Sequence, residues 1–352
     1  MRHGSSYTVS ANAALDLHDS LPVGTYTVKY NEQGGYYYLE SISDFSLSGK
    51  IYGSTTNDAD RILNTFESRA ASTGLLLSGE KGSGKTMLAK LLSLEGHKRG
   101  MPTIVINQSW CGDVFNTFMQ TIEQPTVVIF DEFEKVYDKE DQERMLTLLD
   151  GVYQSKKLYV LTTNDSYRIN EHMRNRPGRI FYRLDYSGLD NAFIIEYCED
   201  NLKDKSQIEA VCRVALMFGS FNFDMLKAMV EDMNRYNEAP QQVMRFLNAK
   251  PELEGGSHYD LNLWVEGVQL DVKQLEMSVW GGNPLTNRVR VEYMTGKLDD
   301  EGDSEWDSAY FETTDLKAVE PATGKFVFTN SKGHKAELVR RKPETPNWDA
   351  LY

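Results

Sequence analysis

The spacing of hydrophobic and polar positions changes along this chain, and each change of period marks an element. Thr25-Tyr-Thr-Val-Lys-Tyr30 and Tyr36-Tyr-Tyr-Leu-Glu40 flank Asn31-Glu-Gln-Gly-Gly35, which predicts a β-hairpin around a glycine loop, its aromatics packing on a sheet face. After Ile51-Tyr52-Gly53, residues Ala59, Ile62, Leu63, Phe66 and Ala70 recur at helical spacing and predict an amphipathic helix. Alternation then gives way to continuous apolar runs, Gly74-Leu-Leu-Leu-Ser78 and Thr126-Val-Val-Ile-Phe130. Strands apolar on both faces belong inside a parallel sheet. With 102–107, 158–162 and 180–184 they predict five such strands with helices between them. From Leu189 to Asn248 the pattern is helical throughout. Lys250-Pro-Glu-Leu-Glu-Gly-Gly-Ser257 then reads as a linker. Beyond it Val289–Tyr293, Lys325–Thr329 and Lys335–Val339 predict strands. The organisation expected is a hairpin region (1–46), a large α/β unit (47–188), a helical unit (189–250) and a β-rich acidic domain (251–352).

Between the first apolar run and the helix after it lies Gly79-Glu-Lys-Gly-Ser-Gly-Lys-Thr86, which fits G-x-x-x-x-G-K-[ST]. Glycines let the backbone of Gly79, Glu80, Lys81, Gly82, Ser83 and Gly84 wrap with its N–H groups inward, and Lys85, Thr86 and Met87 open a helix whose positive end favours an anion. Lys85 is expected at the β- and γ-phosphates, and the Thr86 hydroxyl on Mg²⁺. The second apolar run ends in Asp131-Glu132, at the carboxyl end of a strand, where open α/β sheets bind ligands. Asp131 is the candidate for the metal's hydration shell and Glu132 for the general base.

These motifs resemble the AAA+ ATPases, and within them the AAA subgroup. Met145-Leu-Thr-Leu-Leu-Asp-Gly151 is similar to the family's helix after the second motif. Leu161-Thr-Thr-Asn164 is similar to its sensor-1 strand, and Arg174-Asn-Arg-Pro-Gly-Arg179 to its arginine-finger segment. The resemblance implies ATP and Mg²⁺ as ligands, Asn164 orienting the lytic water, and Arg176 and Arg179 reaching a neighbouring subunit's γ-phosphate. It therefore implies a homo-oligomeric ring, usually a hexamer. Ile51 and Tyr52 would pack on the adenine. The likeness spans about Ile51 to Asn248, and the stretch between the second and third strands resembles the subtype that translocates the folded Rieske protein. Phe133-Glu-Lys135 departs from the family's usual residues after Asp-Glu, and the Ser-Gly-Ala-Asp turn of its small subdomain is matched only by Phe221-Asn-Phe-Asp224. The fold expected is a phosphate-loop α/β core with a parallel five-stranded sheet, a small helical subdomain and β-rich additions at both ends.

Trp110-Cys111-Gly112 has the aromatic-x-glycine form of the loops that line the pore of protein-threading rings. A tryptophan buried between strand and helix is the alternative, and both stay open here. Asp299-Asp-Glu-Gly-Asp-Ser-Glu-Trp-Asp307 holds six acids in nine positions, read as a solvated loop rather than a docking surface or cation loop. The chain's 352 residues carry a net charge of −14, which disfavours broad electrostatic binding to nucleic acid. Three scattered cysteines, Cys111, Cys198 and Cys212, suit a reducing cytoplasm and form no zinc pattern. No apolar run is long enough for membrane insertion. The expectation is an ATP hydrolase working on a macromolecule, protein ahead of nucleic acid. The competing classes are a nucleic-acid machine (clamp loader, initiator or helicase) and an assembly factor that uses ATP with low turnover.

Overall fold

In a computed structural model the described residues are 18–150, 155–186, 188–216, 218, 220–248, 258–298, 302–320 and 323–341, with the backbone of 2–3 and 6–7. They fall into two compact units, 1–187 and 188–352.

The first unit opens with a two-residue strand pair, β1 (Arg2–His3) and β2 (Ser6–Tyr7). The hairpin follows as β3 (Thr25–Asn31) and β4 (Tyr36–Ile42). Then come α1 (Thr55–Ser68), β5 (Thr73–Gly79), α2 (Lys85–Lys98), β6 (Thr103–Ile106), α3 (Asp113–Gln120) and β7 (Thr126–Phe130). The unit closes with α4 (Phe133–Val136), α5 (Lys139–Leu149), β8 (Lys157–Thr163), α6 (Glu171–Arg174) and β9 (Tyr182–Tyr186). The sheet is larger than the five strands expected. It has seven, in the order β4-β3-β6-β7-β8-β5-β9, because β3 pairs in parallel with β6 and brings β4 with it as an antiparallel edge. The last strand also starts two residues later than the apolar pattern suggested, because a turn in which Arg179 and Ile180 both donate to the Arg176 carbonyl precedes it.

Both faces of the sheet are covered, as continuous apolar strands require. Successive β7 residues point to opposite sides. Val127 and Ile129 pack with Ile62, Leu63 and Phe66 of α1 and Leu88 and Leu92 of α2. Val128 and Phe130 pack with Phe115 and Met119 of α3 and Met145 and Leu148 of α5. Among the described residues of this unit Lys85, Lys157 and Arg179 are buried cations, and Lys157 is the most enclosed. Lys157 is fully buried and donates to the carbonyls of Ile122 (2.5 Å) and Gln124 (3.2 Å), and burial pulls its pKa down to about 8.

The second unit begins with helices α7 (Asn191–Asn201), α8 (Ile208–Ala215), α9 (Phe223–Tyr236) and α10 (Pro240–Val243). Asn222, in the segment that replaces the family's small-subdomain turn, caps α9 by accepting from the Met225 N–H at 3.0 Å. The linker expected at 250–257 lies outside the described residues. The β-rich part contains β10 (His258–Val265), β11 (Val268–Gln269), β12 (Val279–Gly281), β13 (Val289–Leu298), β14 (Ser304–Phe311), β15 (Leu316–Glu320), β16 (Lys325–Thr329) and β17 (Lys335–Arg340). Strands β11-β10-β17-β16-β15 form one sheet with β12 also on β10, and β13–β14 is a separate hairpin. Tyr259, Leu263, Val291, Phe311, Phe326, Phe328 and Leu338 form its core. The acidic run is a loop only in part. Residues 299–301 lie outside the described residues, whereas Glu305 and Asp307 stand on β14, where Tyr293 donates its hydroxyl to Asp307 at 3.2 Å. Helices and strands are joined within this unit, since Arg340 donates to the Phe218 carbonyl at 2.9 Å and Leu216 packs on the β core. Among the described residues no helix is long and apolar enough to cross a membrane.

Candidate functional site

The glycines of 79–84 are required by geometry. Gly79 has φ +143, and a Cβ there would lie 2.3 Å from the Tyr186 carbonyl oxygen. Gly84, at φ +103, is the residue before α2, and no side chain caps the helix. The first-turn N–H groups therefore remain for an anion. Lys85 turns back into the loop and is only 7% exposed. Its ammonium donates to the carbonyls of Gly79 (2.5 Å) and Glu80 (2.7 Å) and to Asn164 Oδ1 (3.3 Å). Burial lowers its pKa, while Glu134 first, then Asp131, Glu132 and Glu80, act to raise it. Thr86 is exposed at the helix start.

At the end of β7 a hydroxyl ties the two acids together. Thr162 Oγ1 donates to Asp131 Oδ1 at 2.7 Å and accepts the Glu132 N–H at 2.9 Å. Glu132 has φ +49, in the left-handed region, one of three such non-glycine residues among those described. Such a conformation costs of order 1–3 kcal/mol and persists only where the surroundings enforce it. Its side chain, 44% exposed, accepts from Lys135 Nζ at 2.5 Å, and this ammonium holds the carboxyl below its ordinary range.

Asn164, just past β8, is brought to the same place. Its N–H and its Nδ2 both donate to Glu134 Oε1, at 2.9 and 3.1 Å. Glu134 was not among the residues singled out from sequence. The signal was present, a third acid two residues past Glu132, but only the turn into α4 shows that it faces Lys85 and Asn164. Tyr186 was also missed. It lies against Gly79, and a Cβ on Gly84 would stand 3.8 Å from its ring. Of the adenine candidates, Tyr52 is buried with the Lys50 ammonium 5.0 Å from its ring centre, and Ile51 packs against the α1–α2 core.

The two arginines have different surroundings. Arg176 is exposed. Arg179 is buried and makes a two-pronged pair with Asp150, Nε to Oδ1 at 2.6 Å and Nη2 to Oδ2 at 2.8 Å, with Nη1 on the His172 carbonyl at 2.8 Å. Its donors are engaged within its own chain.

Trp110 stands in an aromatic cluster, 5.4 Å from the Tyr37 ring and 6.2 Å from Tyr30, both on the hairpin. The Tyr137 hydroxyl donates to its carbonyl at 3.0 Å, and Cys111 Sγ donates to Asp141 at 3.2 Å. Gly112, at φ +87, would meet nothing within 4 Å if it carried a Cβ, and all three residues of Trp110-Cys111-Gly112 are half-buried. Trp110 is thus half-buried and packed, with the hairpin as its partner. Trp110→Ala is therefore expected to lower stability by about 2–4 kcal/mol, somewhat under the cost for a fully buried tryptophan. An unchanged midpoint in a urea titration would restore the pore reading.

Residues 75–185 match the family model described as ATPase family associated with various cellular activities (AAA). No curated protein matches the chain. Among solved structures it is similar to an alanine-to-serine mutant of RuvB from Thermotoga maritima, with a TM-score of 0.40 and 16% identity over 57% of this chain and 71% of that one. The chain carries an AAA ATPase domain on an AAA+ fold, a seven-stranded, mostly parallel sheet between helices with a β-rich C-terminal part. The family match does not divide the AAA proteins into subtypes.

Proposed function

We propose that this chain is a ring-forming ATPase that hydrolyses ATP with Mg²⁺ and uses the turnover to remodel or move a macromolecule, protein ahead of nucleic acid. The observation that carries the reading is the convergence of Lys85, Asp131, Glu132 and Asn164, from the ends of β5, β7 and β8, on one hydrogen-bonded site. The donor set suits Mg²⁺. Thr86 and Asp131 offer hard oxygens, and a buried Glu134 oxygen has no protein partner. Among the described residues no group of three His, Cys, Asp or Glu could cage a metal, as expected for an ion held largely by phosphates and water. When bound, Mg²⁺ would neutralise charge on the β- and γ-phosphates.

The chain's own residues would do the rest. Lys85, already held by loop carbonyls, brings a cation to the phosphates. Glu132 takes a proton from water as the water oxygen bonds to the γ-phosphorus and the bond to the bridging oxygen breaks, ADP leaving with the electron pair. Asn164 holds that water. Arg176 is the side chain free to reach a neighbouring subunit's site, and Arg179 fixes the turn that presents it. The preference for a protein substrate rests on the net charge of −14, which repels a phosphate backbone.

The test is phosphate release by the full chain in Mg²⁺–ATP, alone, with an unfolded protein, and with single- or double-stranded DNA, alongside light scattering. ATP-dependent assembly and stimulation by protein support the proposal. Stimulation by DNA alone selects the nucleic-acid machine, and assembly with negligible turnover the assembly factor.

A further inference from the structure

Glu134 lies on the one-turn helix α4, whose position is set by neighbours rather than by its own length. Phe133 and Tyr137 are both buried and stacked, ring centres 4.7 Å apart. They fix the backbone that carries Glu134 between them. One carboxylate oxygen, Oε1, takes both the N–H and the Nδ2 of Asn164, and the other is buried with no protein partner. At its other end the Asn164 amide offers Oδ1 to the Lys85 ammonium at 3.3 Å. An ionised carboxylate can only accept and an ammonium can only donate, so the two charges fix which way round the amide stands.

We propose that Glu134 is a positioning residue for hydrolysis, which locks the Asn164 amide with its oxygen, not its NH₂ group, toward the reacting phosphate. The proposal rests on the ATPase reading above. With nucleotide bound, Lys85 is drawn to the β- and γ-phosphates and its hold on Oδ1 weakens. Glu134, with Glu132 also within reach of the Asn164 side chain, then keeps the amide from flipping. Asn164 Oδ1 is left as an acceptor for one O–H of the attacking water, while Glu132 accepts the other. Asn164 therefore orients the water and does not donate to the γ-phosphate, because its NH₂ group is held by Glu134. A flipped amide would offer N–H to the phosphate and leave the water with one acceptor instead of two.

The experiment compares the full-length wild type with E134A, E134D, E134Q, N164A and E134A/N164A. Phosphate release is measured against ATP concentration, and calorimetric titration follows with ADP and with ADP–aluminium fluoride. E134A is expected to lower kcat about 10- to 100-fold, the scale of a misplaced reacting group, with KM changed less than about threefold. E134D, with the carboxylate drawn back from Asn164, should fall at least about tenfold and covers the case in which E134A is poorly folded. E134Q keeps an acceptor oxygen and should stay within about threefold of wild type. Binding of ADP should be unchanged in E134A, and binding of ADP–aluminium fluoride should weaken by a factor close to the loss in kcat. In the N164A background the E134A change should add nothing, since the two residues act as one unit.

Wild-type rates in E134A or E134D overturn the proposal. So does a double variant slower than N164A by the full E134A factor, or an E134Q as slow as E134A. No phosphate release from the wild type overturns the ATPase reading and this proposal with it. An active wild type with an indifferent Glu134 removes the positioning role alone.

Discussion

Glu132→Gln is expected to bind Mg²⁺–ATP about as tightly as the wild type and to release phosphate at least about 100-fold more slowly, the share of rate that a positioned general base supplies. The backbone contact that fixes residue 132, its N–H on Thr162 Oγ1, does not depend on the side chain, so binding should survive. The amide cannot take the water's proton, and beyond this only the exposed ion pair with Lys135 is lost. Lys85→Ala should fail differently. The ammonium is held at the phosphate loop by two of its carbonyls and by Asn164. Loss of that charge should remove ATP binding itself, and turnover with it. Calorimetric titration with ATP separates the two variants, because one binds without reacting and the other does not bind. Normal turnover in Glu132→Gln would remove the base assignment, and tight binding by Lys85→Ala would remove the phosphate-loop assignment.

The parts of the site that could be read from the chain are those in which chemistry demands particular residues at fixed spacing. Gly79 and Gly84 adopt backbone angles that disfavour a side chain, and Lys85 and Thr86 follow at the only positions from which the helix start can serve a phosphate. Asp131 and Glu132 were legible because a five-residue apolar strand can end in two acids only where it meets solvent or a ligand. What could not be read depended on partners distant in sequence. The hairpin was visible, but its parallel pairing with β6 joins Thr25 to Thr103, and nothing local to either strand announces that. The same pairing brings Trp110 its partners, since Tyr30 and Tyr37 come from the hairpin. Glu134 escaped notice because its role is defined by Asn164, thirty residues away. In the C-terminal part the alternation of β10, β16 and β17 marks strands, yet their order in the sheet follows from Phe326, Phe328 and Leu338 sharing one core with Tyr259 and Leu263.

The two arginines of Arg174-Asn-Arg-Pro-Gly-Arg179 look equivalent in sequence and should behave as opposites. Arg176→Ala removes an exposed side chain, so melting and ATP affinity should match the wild type, while turnover falls about 10³- to 10⁵-fold, the contribution of an arginine finger in other phosphate-loop enzymes. Arg179→Ala instead removes the partner of Asp150 and the donor to the His172 carbonyl. Arg179 is 9% exposed and Asp150 28%, so the abandoned carboxylate is partly reached by water. The loss of stability should then lie near about 2–4 kcal/mol, at or below the cost of breaking a fully buried pair. Asp150→Asn should melt early for the same reason, and its effect should not add to that of Arg179→Ala. The decisive measurement mixes Arg176→Ala protein with Lys85→Ala protein. Each alone is inactive, but a finger supplied by the Lys85→Ala subunit can complete the site of an Arg176→Ala subunit, so hybrids should recover part of the wild-type rate once subunits exchange. Arg179→Ala mixed with Lys85→Ala should recover rate only in proportion to its folded fraction. Full activity of Arg176→Ala alone, or no recovery in hybrids shown to form, would place its action within one chain and remove the ring from the mechanism.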